Sequence, residues 1–157
     1  MKKIVLLIFI ISILVTGCGK KETLNGDVEL DLSIAERENA IGKSDKDLTE
    51  LSERKPSEVR NDTTGKWRKT TLSEPVDITE YALSYNKLFM EDDEVHFIVN
   101  FNYSTTTIIN DYGGFLSIRT HEYVDKEEHD AKMLGGGMLL VEYEIYKDNG
   151  DITKVGD

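Results

Sequence analysis

Cysteine is nearly absent: Cys18 is the only one in 157 residues. One thiol cannot close a disulfide within the chain or build a cysteine-rich zinc site. Ordinary packing must therefore hold the fold. Positive charge is also short, with 19 Lys and Arg against 30 Asp and Glu and a net charge of -11. That balance excludes nucleic acid as a partner, because phosphate binding needs basic side chains to displace counterions. It equally disfavours attachment to anionic lipid through charge alone. Long apolar runs are missing too. The longest apolar run, Ile4–Val15, is 12 residues, against about 20 for a spanning helix.

That run is nevertheless informative. Lys2 and Lys3 precede it, and small residues, Thr16 and Gly17, follow it. A basic start, an apolar core of about 7–15 residues and a small-residue cut site are the parts of a secretory signal peptide. Val15-Thr16-Gly17-Cys18 resembles the lipobox of bacterial lipoproteins. The resemblance covers residues 1–18. It implies cleavage between Gly17 and Cys18, a diacylglyceryl group on the Cys18 sulfur, and acylation of the new amino terminus. Two or more acyl chains hold a protein stably at a membrane, whereas one does so only marginally. Loss of Lys2 and Lys3 takes the net charge from -11 to -13. Lipid on Cys18 also removes disulfide, thiolate-ligand and nucleophile roles from the rest of the chain.

About 140 residues remain, enough for one domain with a modest core. Residues 18–44, polar and charged, read as the lipidated cysteine and a tether; residues 45–157 read as the domain. Ser33-Ile34-Ala35-Glu36 and Ser44-Asp45-Lys46-Asp47 have capping-box spacing. They predict a short helix to about Ile41 and a second helix carrying Leu48 and Leu51 that ends before Pro56. Trp67 falls in a short strand or arm as a core or edge anchor, with ligand stacking as the alternative. Asp77 and Glu80 open the best helix, which places Ile78, Tyr81, Ala82, Tyr85, Leu88 and Phe89 on one face. After Glu91-Asp92-Asp93-Glu94 the period changes to two. Val95, Phe97, Val99, Phe101 and Tyr103 then form an apolar face, and His96, Ile98, Asn100 and Asn102 the opposite one. Further strands follow at 105–109, 115–124 and 138–146, and 152–155 closes the sheet. Gly135-Gly136-Gly137 reads as a flexible hinge, and Asp148-Asn149-Gly150-Asp151 as a hairpin turn. The class is α+β: N-terminal helices, then an antiparallel sheet of four or five strands packed on one amphipathic helix. That layout resembles the cystatin-like and NTF2-like folds, a likeness that implies no function.

Chemistry-bearing motifs are few. His121 to Lys132 gathers His121, Glu122, Asp125, Glu127, Glu128, His129 and Asp130. His121, His129 and Asp130, joined by His96 from another strand, form the candidate ligand or metal set, because zinc takes three or four such groups. Their spacing matches no short zinc motif, and a hydrated loop with local ion pairs is the competing reading. The central glycine and alternating acids of an EF-hand are missing. So are a G-x-S-x-G elbow and a phosphate-cradling glycine loop. No catalytic residue is assigned, and no cofactor beyond the covalent lipid. Residues 60–155 faintly resemble small lipoproteins of clostridial-type bacteria through Thr64–Arg68, Tyr81–Tyr85, His121–Tyr123 and Glu128–Lys132; the likeness implies no site. The sequence therefore favours a non-enzymatic binding or interaction module, anchored by lipid on the outer face of a Gram-positive-type cytoplasmic membrane. Its partner would be an unidentified protein or small molecule. A metal-binding protein using His121 and His129, or an unrecognised hydrolase, is the alternative.

Overall fold

The computed structural model describes residues 35–50, 57–59 and 66–156. The apolar run Ile4–Val15, the predicted cleavage residues Gly17 and Cys18, and most of the first predicted capping box lie outside these residues, as does the polar stretch 60–65. Leu32–Asp157 forms one compact unit by itself. Its strands are β1 (Ala40–Lys43), β2 (Ser57–Val59), β3 (Trp67–Leu72), β4 (Val95–Asn100), β5 (Thr105–Asp111), β6 (Phe115–Glu122), β7 (Leu139–Tyr146) and β8 (Asp151–Lys154). They make one sheet in the order β1-β8-β7-β6-β5-β4-β3-β2. Neighbours run antiparallel except β3 and β4, which are parallel from Trp67 opposite Val95 to Leu72 opposite Asn100. A parallel pair needs a crossover. Here it carries a 3₁₀ turn, Ile78–Tyr81, and α1, Ala82–Phe89.

The α+β class and the single helix on the sheet agree with the sequence pattern. The sheet is wider than four or five strands, and the predicted N-terminal helices are replaced. Ala40–Lys43 is a strand at the sheet edge, paired with β8. Ser44 caps nothing at its own position; its hydroxyl accepts the Leu83 amide at 3.2 Å. Leu48–Glu50 is a single 3₁₀ turn, and Leu51–Pro56 lies outside the described residues. Capping-box spacing is local, whereas the unpaired edge of β8 offers a whole row of hydrogen bonds. Side chains reinforce the edge pairing. Asp151 accepts the Arg37 amide at 2.7 Å and is paired with Lys43. The domain therefore begins before residue 45.

The predicted helix start is as read: the Asp77 side chain accepts the Thr79 amide at 3.0 Å. Ile78, Tyr81, Ala82 and Tyr85 then pack on Leu72, Ile98, Ile109, Leu116, Ile118, Ile145 and Ile152 of the sheet. Each such aliphatic side chain contributes about 1.5–3 kcal/mol on burial. Leu88, assigned to the same helix face, is 53% exposed.

The other sheet face has its own cluster, Phe97, Val99, Ile108 and Leu134, with Trp67 and Tyr123 at its margin. Both faces of β4 are thus buried, not one. The helix covers the face carrying His96, Ile98 and Asn100. The face carrying Phe97 and Val99 lies under the β6–β7 connection. Phe101 and Tyr103 do not extend that face, because the strand ends at Asn100 and residues 101–104 turn. Trp67 is a core-margin anchor, its ring 4.8 Å from Phe97.

Candidate functional site

The sequence-derived set is dispersed. His96 faces the helix and is fully buried. Its Nδ1 accepts the Tyr85 hydroxyl at 2.8 Å, and its Nε2 donates to Glu94 Oε2 at 3.0 Å. Arg68 pairs with the other Glu94 oxygen at 2.7 Å. Burial pushes the Tyr85 phenol well above its usual range, with the Glu94 charge adding to it. Burial also lowers the His96 imidazole, against the opposing pull of Glu94. Burial opposes the charge on Glu94, yet His96, the Glu91 amide and Arg68 outweigh it and hold that carboxyl low. The network fills its own hydrogen-bonding needs inside the core.

His121 lies on the opposite sheet face. Its Nδ1 donates to the Gly137 carbonyl at 3.0 Å, and its Nε2 is buried without a hydrogen-bond partner. His129 is exposed and meets Glu128 at 3.1 Å. Asp130 is exposed, and its carboxylate accepts the Lys132 amide at 3.0 Å. Among the described residues no three His, Cys, Asp or Glu side chains are grouped to hold a metal ion. The acidic loop is not uniformly hydrated either. Glu127 is fully buried and takes the Thr106 hydroxyl and the Gly135 amide.

What the fold does build is a cup of about 260 Å³ on the helix-covered face. One row across the sheet makes its floor. Ile98 opposes Thr107, Thr107 opposes Thr120, and Thr120 opposes Val141. Asn100, Thr105 and Tyr143 extend the floor, Val76–Thr79 form the opposite wall, and Tyr103 stands at the margin. The lining holds no Lys, Arg or His among the described residues; Asp77 is its sole acid. The Thr107 and Thr120 hydroxyls lie 3.1 Å apart.

Asn100 fixes both walls. Its amide donates to the Glu74 and Val76 carbonyls, each at 3.2 Å. Its carbonyl oxygen accepts the Asn102 amide at 2.9 Å and the Tyr103 amide at 3.2 Å. All of its main donor and acceptor directions are therefore spent on shape. Neither Trp67, Tyr85 nor any histidine lines this cup. The residues that do were missed because Thr and Asn on a strand carry no motif. The alternation of Thr105, Thr107 and Ile109 was the available signal, and it becomes a site only through the cross-strand row.

Comparison with protein-family models, with curated proteins and with solved structures yields no match. The cup and the fold around it are therefore the grounds for a functional reading.

Proposed function

We propose that this chain is a lipid-anchored lipoprotein of the cell envelope, held by acyl chains on Cys18 at the outer face of the cytoplasmic membrane. Its folded unit acts as a non-enzymatic module that binds a small ligand in the cup. The observation that carries the binding reading is the cup itself. It is concave, mostly apolar, fixed on both walls by Asn100 and supplied with a few convergent polar groups. Such sites are the usual form of small-molecule pockets, and its volume lies just below their ordinary range of about 300–1,000 Å³. A helix resting over a meander, with a cup beside it against Val76–Thr79, supports the cystatin-like or NTF2-like layout as the finer description. The anchor reading rests on Lys2, Lys3, the apolar run and Val15-Thr16-Gly17-Cys18.

Two measurements test these parts separately. Metabolic labelling with an acyl precursor is expected to mark the chain and to be abolished in Cys18→Ala; a labelled Cys18→Ala chain would refute the anchor. Chemical-shift mapping with a mixed set of neutral and charged fragments is expected to give saturable changes at Val76, Ile98, Thr107, Thr120 and Val141. Changes confined to other surfaces would refute the cup as the site.

A further inference from the structure

The chemistry of the cup also restricts what it can hold; this step rests on the binding reading above. We propose that the ligand is an uncharged, mainly apolar molecule carrying one oxygen acceptor, such as an alcohol, ester or ketone. Three features of the cup lead there. Its described lining offers no cation to an anionic group, and burying an unpaired carboxylate is strongly unfavourable. The sole acid, Asp77, is exposed and already committed. One of its oxygens accepts the Thr79 amide at 3.0 Å and the Thr79 hydroxyl at 2.7 Å. A solvated rim carboxylate adds little to the binding of a cation.

The hydroxyl pair sets the polar requirement. Each threonine has one O–H donor. When one of Thr107 and Thr120 donates to the other across 3.1 Å, the acceptor's own proton remains unspent. That proton lies on the cup floor between aliphatic Ile98 and Val141. An oxygen acceptor on the ligand satisfies it, and a purely hydrocarbon ligand leaves it unpaired.

At the margin Tyr103 is 50% exposed, so its ring adds contact for a chain longer than the cup.

Hexan-1-ol, hexanoate and hexylammonium at pH 7 are matched probes of nearly one shape and three charges. The chain starting at Gly19 retains the whole compact unit and suits methyl NMR. Hexan-1-ol is expected to shift the Val76, Ile98 and Val141 methyls saturably and to bind at least about tenfold tighter than either ion. The near-isosteric double variant Thr107→Val/Thr120→Val is expected to weaken hexan-1-ol about threefold to tenfold and to leave hexanoate unchanged. Thr120→Val alone, at a half-buried position, serves if the double variant loses its dispersed methyl spectrum. Equal or tighter binding of either ion at these methyls overturns the ligand class while the binding reading stands. Undiminished alcohol binding in the folded variants overturns the acceptor role of the pair. No shift with any of the probes, in a folded chain, overturns the binding reading too.

Discussion

Glu127 carries most of the polar load under the β6–β7 connection. Its side chain is fully buried, between the Thr106 hydroxyl on β5 and the Gly135 amide. A buried carboxylate so placed ties the loop to the sheet, and removing it strands both donors. Glu127→Ala is therefore expected to lower unfolding free energy by about 2–3 kcal/mol. Amide exchange at Gly135 should quicken in the same variant. Unchanged exchange and an unchanged denaturant midpoint would contradict the role. In sequence Glu127 is one acid among many between Glu122 and Asp130, and nothing local separates it from its partly buried neighbour Glu128, which accepts the Tyr123 hydroxyl. Asn100 and His96 share this property. Each reads as an ordinary polar position on an alternating strand, and each is buried with part of its hydrogen bonding supplied from the crossover outside its strand, by Val76 for Asn100 and by Tyr85 for His96.

Among the elements, the β6–β7 connection departs most from its sequence reading. The triple glycine is a packed turn and not a hinge. A Cβ on Gly137 would fall 2.0 Å from the Glu122 carbonyl oxygen, and Gly135 has a φ of +67°. The glycines are required by close approach and by a left-handed backbone. Gly137→Ala is expected to be among the most damaging single changes, costing more than about 3 kcal/mol, and to show as a loss of soluble folded protein or a lower thermal midpoint. Wild-type stability in that variant would show that the connection can move away from β6. The helix, in contrast, was legible nearly to the residue. Asp77, the three- and four-residue apolar steps and the acidic stretch after Met90 are all local signals. The first predicted helix gave way because Ala40–Lys43 pairs with the edge of β8; of the second, Leu48–Glu50 is a 3₁₀ turn and residues 51–56 lie outside the described residues. No sequence window contains both β1 and its partner.

For the whole molecule, acid is the informative stress. Lys43, the Arg37 amide and Asn149 hold the Asp151 carboxyl down to about 2 against the cost of its burial. An unfolded aspartate titrates near 3.9. The stabilisation from Asp151 is therefore complete above about pH 4 and is lost as pH falls from there toward 2. His96, lowered by burial, adds an earlier loss. Its unfolded form takes up protons below about pH 6.5 while the folded form resists them. The urea midpoint is expected to be level between pH 7 and 8, to decline below about 6.5, and to fall more steeply below about 4. Asp151→Asn should lower the midpoint at pH 7 and flatten the acid limb. An Asp151→Asn chain with the full acid limb would assign that limb to other carboxylates.

The amino-acid sequence by itself determined the acidic charge, the apolar run Ile4–Val15 that precedes the lone Cys18, the capped helix and the strand periodicity. These depend on composition and on neighbours within a few positions. Only the tertiary structure decided that β1 closes one edge of the sheet, that both faces of β4 are buried, and that Thr107 and Thr120 meet on the floor of a cup. Those outcomes depend on register between strands, from the consecutive pair β5–β6 to the distant pair β1–β8, and register is set when the whole apolar surface is buried at once.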